Sequence, residues 1–440
     1  MDDEGIIDLI TDFHQREMPE LVPRELEVKL PKTKKCVSVV GPRRAGKSSL
    51  LFWMVQQLRA SGPRGRCLYV NLEDDRLYPP NVDTLERVVR LYREVYPESR
   101  DWETHLFLDE VQTVEGWERY VRRLVDTENV RVYLTGSSSK LLRDEVATTM
   151  RGRCISYTLL PFSFREFLAA RGMEIPRHPS PSDRARISNH LREYVTFGGF
   201  PEVTIEDDPE IKLRILDEYV DVMLLRDVVE RHHLANIMVL RMLFGRLLSS
   251  VSSTFSVHKF HGMLRSQNIS VSKNTLYDYF SHLEDALVVL TLRRYSPSLK
   301  EVQQSLPKVY PIDNGFIAQA RGGSANEMGA LMEATVAIEL HRRTCSHPAL
   351  SLYYWSKQGS GEVDFVLRRG GDTVSLVQCC YDASEDDTRH RELRALAKAS
   401  DDLGCDDLMM VTWDEKGTEN VEGRTVRIVP LWEWLLGRSG

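Results

Sequence analysis

The sequence predicts a multidomain α/β protein, and three observations carry that reading. Residues 32–161 alternate apolar, strand-like runs with helical ones. Residues 162–240 are almost wholly helical. The last region, residues 301–440, returns to strands, some close enough in the chain to pair as hairpins. A chain of 440 residues is long enough for several buried cores, at about 150 residues per domain. With 42% hydrophobic and 28% charged residues it has a soluble, globular profile, which excludes global disorder and collagen-like structure.

Each element follows from local pattern. Residues 1–31 read as an amphipathic helix followed by the proline-containing stretch MPELVPREL. Next come a strand at VSVV, a glycine-rich loop and a helix, then a strand at CLYVNLED and a helix near 82–97. A third strand falls at THLFLDE, a helix at Trp117–Asp126 and a fourth strand at VRVYLTG. Strands alternating with helices in this way predict a parallel sheet. Helices over 162–240 break at TFGGFPEV. Residues 241–300 read as helices followed by the β segment ALVVLTLRRY. The last region opens with a helix at 328–343. Strands at SLYYWS, EVDFVLRR and TVSLVQCCY follow, then a helix near 388–400 and a strand at DLMMVTW.

The acidic start MDDEGIIDLITDFHQ lacks a basic-then-apolar signal pattern, and no apolar run nears the ~18 residues of a membrane span, so the expectation is a cytoplasmic protein with no membrane partner. Seven cysteines form no CxxC pair, which argues against a zinc site or a disulfide framework. A net charge of -7 does not exclude nucleic acid, because binding depends on a local basic patch.

The segment Gly41-Pro42-Arg43-Arg44-Ala45-Gly46-Lys47-Ser48, followed by Ser49, fits GxxxxGK[ST] between a strand and a helix, the setting of a P-loop. Its backbone N–H groups and the helix N-terminus would cradle phosphates. Lys47 would bridge the β- and γ-phosphates of ATP, and Ser48 would give its hydroxyl to Mg²⁺. The strand HLFLDE ends in Asp109 and Glu110, at the edge where α/β sheets place ligands. Asp109 is the second candidate for the metal, largely through water. Glu110 is the candidate for orienting or deprotonating the attacking water. The fourth strand ends in Thr135-Gly-Ser137-Ser138-Ser139. A polar group there, Ser137 first and Thr135 next, would bond the water or the γ-phosphate; the competing reading is a helix cap before Lys140–Arg143. Arg151 and Arg153 are candidates for an arginine finger reaching a neighbouring subunit of a homo-oligomer, or else surface arginines in ion pairs.

The stretches GPRRAGKSSL, LFLDEVQTVEGWE, YLTGSSSKLL, RGRCISYTLLPFSFREF and YVTFGGFPEV together resemble the prokaryotic, especially archaeal, AAA+-type ATPases related to the STAND group. YVDVMLLRDVVERH, NTLYDYFSHLEDALVVLTLRRYS, KVYPIDNGF and EVDFVL resemble the C-terminal domain of unknown function that accompanies such an ATPase. The resemblance implies a P-loop AAA+-like ATPase core over 32–161 and a helical lid over 162–240. It also implies that the turn Gly198-Gly199-Phe200-Pro201, and Pro201 in particular, packs near the adenine.

Residues 255–297 run helix, turn, helix and two short β segments, which is a winged-helix pattern. Ser272 would cap the second helix. Lys273, Asn274, Thr275 and Tyr277 would face DNA, with Arg293 and Arg294 on the wing. Asp278, Glu284 and Asp285 on the same helix favour a protein contact instead. The order helix-Glu333, strand-Asp364, next strand resembles the restriction-endonuclease-like fold. In active members two acids bind Mg²⁺ and a lysine positions the attacking water. Here Gln378 stands where the second strand acid belongs, and Cys380 stands for the lysine. That departure reads as a vestigial site unless Lys357 substitutes. Arg389 and Arg391 on the next helix could touch phosphates.

The reading that joins these parts is a Mg²⁺-dependent ATP hydrolase working on DNA, branched or single-stranded, of the kind met as repair intermediates. Two others compete with it: a nucleotide-gated switch or scaffold for a protein partner, and an ATP-regulated metal-dependent nuclease.

Overall fold

In a computed structural model, residues 2–136, 150, 152–322, 328–381 and 386–438 are described, without the side chains of 386–388. They divide into two compact units, Met1–Leu159 and Leu160–Gly440.

The first unit is built on five parallel strands: β1 Cys36–Val40, β2 Cys67–Asn71, β3 Thr104–Asp109, β4 Val130–Gly136 and β5 Cys154–Thr158. They lie in the order β2-β3-β4-β1-β5. Every residue of β1 is buried, as a central strand covered on both faces requires. The helices between the strands follow from local chemistry. Val82–Val95 opens with a capping box in which Asn81 and Thr84 exchange hydrogen bonds. Trp117–Thr127 buries Trp117, Tyr120, Val121, Leu124 and Val125 along one stripe. The N-terminal helix, Asp3–Gln15, buries Ile6, Leu9, Ile10 and Phe13 in the same unit. The crossovers put the loops after β1 and β3 at one edge of the sheet, and the register sets Asn71 beside Asp109.

The second unit starts with helices. Phe164–Ala170 and Pro181–Phe197 each open with a serine capping box, Pro181 standing at the first position where its missing N–H costs nothing. Val257–Ser266 and Lys273–Asp285 follow, the second capped by Ser272. Here the structure differs from the sequence reading of the wing. The strand after Lys273–Asp285 is β6, Val289–Leu292. Its antiparallel partner is β7, Lys308–Pro311, beyond residue 300. The intervening residues turn at Pro297 and form the helix Leu299–Gln304 instead of a second adjacent strand.

After the helix Met328–Ser346 come β8 Leu350–Lys357, β9 Gly361–Arg369 and β10 Asp372–Cys380. The helix Asp386–Leu403 leads to β11 Leu408–Thr412, β12 Gly417–Val421 and β13 Arg424–Pro430. These six strands form a mixed sheet in the order β12-β13-β11-β10-β9-β8, with β10-β11-β13 parallel and the outer pairs antiparallel. Its core joins Val363, Val366, Leu376, Met410 and Ile428 to Leu393, Leu396 and Ala399 of the Asp386–Leu403 helix. Among the described residues no helix is long and apolar enough to cross a membrane.

Candidate functional site

The glycine-rich loop lies between β1 and the helix Lys47–Ser61. Gly46 caps that helix at φ +92°, a left-handed conformation that a side chain would strain. A Cβ on Gly41 would stand 2.1 Å from the Leu159 carbonyl oxygen, so only glycine fits. Pro42 and Ala45 are buried, and the Ala45 carbonyl accepts from the Arg24 guanidinium at 2.8 Å. Arg43 reaches Glu73 at 3.4 Å; Arg44 and Ser49 are exposed.

Lys47 is 5% exposed. Its Nζ donates to the carbonyls of Gly41 (3.1 Å) and Pro42 (3.2 Å) and lies 3.6 Å from Glu110 Oε1. Asp109 ends β3 and is 2% exposed. Tyr69 Oη donates to Asp109 Oδ2 at 2.7 Å, and the Thr135 hydroxyl donates to Oδ1. The same Thr135 oxygen accepts from the Glu110 backbone N–H at 2.9 Å. Burial, together with the neighbouring Asp109 carboxylate, pushes the Tyr69 phenol far above its ordinary value, so it stays a donor.

Glu110 itself has φ +56°. Non-glycine residues held in this region store strain of the order of 1–3 kcal/mol and cluster at active sites. Burial alone would raise its carboxyl. The Lys47 ammonium and the Gln112 amide, which donates at 2.6 Å, outweigh burial and hold it below the usual carboxylate value. It is therefore ionised at neutral pH and aimed at the loop.

Beside this cluster opens a cavity of about 470 Å³ lined by Ser48, Tyr69, Asn71, Phe52, Phe13 and Arg16. The Ser48 hydroxyl and the Asp109 carboxylate are hard oxygen donors of the type Mg²⁺ takes, and a hydroxyl on the cavity wall fits that ion. Mg²⁺ held there would neutralise charge on the phosphates. Arg153, half-exposed, pairs with Asp126 at 2.6 Å. Ser137 and Arg151 lie outside the described residues, as does Lys140–Arg143.

In the second unit the Gly198-Gly199-Phe200-Pro201 turn is tied to Asp313. Gly199 N donates to Asp313 Oδ2 at 2.7 Å and its carbonyl accepts from Phe162 N at 2.7 Å. Gly315 N donates to Asp313 Oδ1 at 2.9 Å. Burial pushes Asp313 up to about 6. Pro201 opens the short helix Pro201–Ile205.

On the Lys273–Asp285 helix, Lys273, Asn274 and Tyr277 are exposed and Thr275 is half-buried, bonded to Ser272. Arg293 turns inward, donating to the carbonyls of Gln303 (3.3 Å) and Ser305 (3.1 Å). Arg294 is half-buried, its backbone N–H bonded to Ser305 Oγ.

Glu333 and Asp364 come together, and the lysine beside them is one the sequence reading did not single out. Lys308 Nζ lies 3.2 Å from Glu333 Oε1 and 3.0 Å from Asp364 Oδ1. Gln378 Oε1 accepts from Asp364 N at 3.1 Å, and its Nε2 donates to Glu392 at 2.7 Å. Lys357 pairs with Asp402 at 2.8 Å, away from these acids, and Cys380 is buried. Arg389 is engaged by Glu415 and Glu419, and Arg391 by Glu392. A divalent cation does not fit this set: an ammonium stands between the two acids, and the third position offers a neutral amide already bonded on both sides. Among the described residues no group of three or more His, Cys, Asp or Glu side chains is arranged to hold a metal ion.

An uncharacterized protein of Methanocaldococcus jannaschii, MJ1544, is 34% identical over 423 residues, covering 95% of this chain and 91% of that one. The chain belongs to the MJ1544 family. An uncharacterized protein of Haemophilus influenzae is similar too, 27% identical over 90% of this chain and 93% of its own length. Within this MJ1544-family chain, residues 33–168 match the model of an AAA domain. Residues 188–327 and 328–434 match two domains of unknown function, DUF8612 and DUF4143. Among solved structures, the Aeropyrum pernix ORC2 protein (ADPNP-ADP complexes) is similar at 14% identity and TM-score 0.40, over 78% of this chain and 94% of that one. The Aeropyrum pernix ORC1 protein in complex with DNA is similar at 12% identity and TM-score 0.32, over 76% and 92%. The parallel sheet and P-loop of the first unit are those of an AAA+ ATPase core, followed by a separate α/β region with a mixed sheet.

Tyr69 and Lys308, which join these clusters, were not singled out from sequence. Tyr69 sits mid-strand in an apolar run and gives no signal. Lys308 precedes an apolar stretch and reads as the solvated start of a strand.

Proposed function

We propose that this protein is a Mg²⁺-dependent ATP hydrolase that couples turnover to conformational work on DNA. The observation that carries the hydrolase part is the joining of Lys47, Asp109, Glu110 and Thr135 into one buried network at the edge of the parallel sheet. Lys47 is held by the loop's own carbonyls and by Glu110. Phosphate oxygens offer the ammonium stronger, charged acceptors than two carbonyls. Once Lys47 turns to them, the Glu110 carboxylate loses its counter-charge. Its basicity then rises, where a water could be oriented for attack on the γ-phosphate. Mg²⁺ would be held by Ser48 and, through water, by Asp109.

The DNA part rests on the exposed N-terminal turn of the Lys273–Asp285 helix, where Lys273, Asn274 and Tyr277 stand together in solvent. Arg293, drawn back to the 303–305 backbone, adds less to this surface than its place in the sequence suggested. The acidic residues Asp278 and Asp285 on the same helix support the competing reading, a nucleotide-gated contact with a protein. Binding of single-stranded, duplex and four-way-junction DNA over a salt series separates the two. Affinity that falls steeply with salt supports the DNA reading, and no binding at low salt rejects it.

A further inference from the structure

Four residues from three separate elements meet in the second unit: Lys308 on β7, Glu333 on the Met328–Ser346 helix, and Glu362 and Asp364 on β9. Lys308 is 2% exposed. An ammonium has three N–H donors, and three carboxylates take them: Glu362 Oε1 at 2.7 Å, Asp364 Oδ1 at 3.0 Å and Glu333 Oε1 at 3.2 Å. The acids are also held from behind. Cys379 N donates to Asp364 Oδ2 at 3.1 Å, and Tyr310 Oη donates to Glu333 Oε1 at 2.7 Å.

We infer that Lys308 is a resident cation: its ammonium fills the place between Glu333 and Asp364 where restriction-endonuclease-like sites bind a divalent metal, so this site takes no metal and does not cut DNA. Space and charge both exclude the metal. An ion there would need carboxylate oxygens at about 2.0–2.6 Å, in the volume the ammonium occupies. An ion entering there would strip the buried Lys308 ammonium of its carboxylate partners, a strongly unfavourable change. Gln378, in the position of a ligand acid, adds no negative charge that would hold a divalent cation beside the ammonium. Burial would lower the ammonium's proton affinity, but Asp364, Glu333 and Glu362 raise it well above the ordinary lysine value. A permanently protonated lysine has no lone pair with which to activate water. What the arrangement does instead is fasten β7 and the Met328–Ser346 helix to β9, giving the region a fixed internal charge node that needs no ion.

The test is a Mn²⁺ titration of the full chain without nucleotide, reading free Mn²⁺ by electron paramagnetic resonance, for the wild type, Asp364→Asn and Lys308→Met. Manganese held at the nucleotide site is common to all three curves. The wild-type and Asp364→Asn curves are expected to coincide, and Lys308→Met is expected to gain one saturable site that a second substitution, Asp364→Asn, removes. A wild-type Mn²⁺ site lost in Asp364→Asn overturns the inference. So does Mg²⁺- or Mn²⁺-dependent DNA cleavage lost in that variant, and so does a folded Lys308→Met chain with no new site. If Lys308→Met does not fold, the wild-type comparison decides alone; Glu333→Gln replaces Asp364→Asn if the latter does not fold.

Discussion

The hydroxyl of Thr135 donates to the Asp109 carboxylate and in turn accepts the backbone N–H of Glu110 at 2.9 Å. One side chain on β4 thus sets both acids at the end of β3. Thr135→Val keeps the shape and removes both hydrogen bonds. By analogy with groups that orient metal ligands, turnover should fall roughly 10- to 100-fold while nucleotide affinity changes less. Steady-state ATPase assays beside a fluorescent-nucleotide titration check this. Equal turnover in Thr135→Val and wild type would remove Thr135 from the site.

Lys47 and Glu110 should separate binding from chemistry. Lys47→Ala loses the only ammonium lying against the loop carbonyls among the described residues, and should lose ATP affinity. Glu110→Gln keeps size and hydrogen bonding but not charge. It should bind ATP as the wild type does and turn over about 10²- to 10⁴-fold more slowly. Isothermal titration and phosphate release measure the two quantities; wild-type turnover in Glu110→Gln contradicts the assignment.

Asp313 predicts a pH dependence in the second unit. Its carboxyl sits at about 6 in the fold against an ordinary 3.8. Between those values the folded state binds more protons than the unfolded one. The contribution is therefore full below about 3.8 and is lost as pH rises through about 6, an effect on the order of 2–3 kcal/mol at most. Asp313→Asn abolishes that slope. It also lowers stability, because the amide presents an NH₂ donor where one of the two carboxylate oxygens accepts the Gly199 or Gly315 N–H. Urea midpoints of both chains between pH 4 and pH 7 test the difference; identical slopes would contradict it.

The exposed turn at Lys273 predicts a salt signature. If Lys273 meets a phosphate, Lys273→Ala should weaken DNA binding across sequences and reduce the slope of log affinity against log salt by about 1. If Tyr277 stacks on a base, Tyr277→Ala should cost about 1–3 kcal/mol on single-stranded DNA. Fluorescence anisotropy at several salt concentrations measures both, and unchanged binding in the two variants would move the contact elsewhere.

The P-loop cluster was legible because its parts are local. A strand, a glycine-rich loop and a helix follow one another without a break, and the Asp109–Glu110 pair closes an apolar strand. The strand order and the role of Thr135 as a bridge needed the register of β3 on β4, which sequence spacing does not contain. The β6–β7 pair was misplaced because residues 295–315 read as a turn-rich connection, yet they hold the helix Leu299–Gln304 and β7 itself. Lys308 was invisible for a deeper reason. Its partners lie 25 to 56 residues further along the chain, and a lysine before an apolar run has the pattern of a solvated strand start. Burial of that ammonium is decided only when the helix carrying Glu333 and the strand carrying Asp364 close over it.

The most direct test of the central claim is the steady-state ATPase rate of the full chain with Mg²⁺, with and without single-stranded, duplex and four-way-junction DNA, using Lys47→Ala as the blank. A Lys47-dependent rate is expected, which one DNA form stimulates and added salt returns to the basal level. A rate no higher than that of Lys47→Ala, with every DNA, would contradict it.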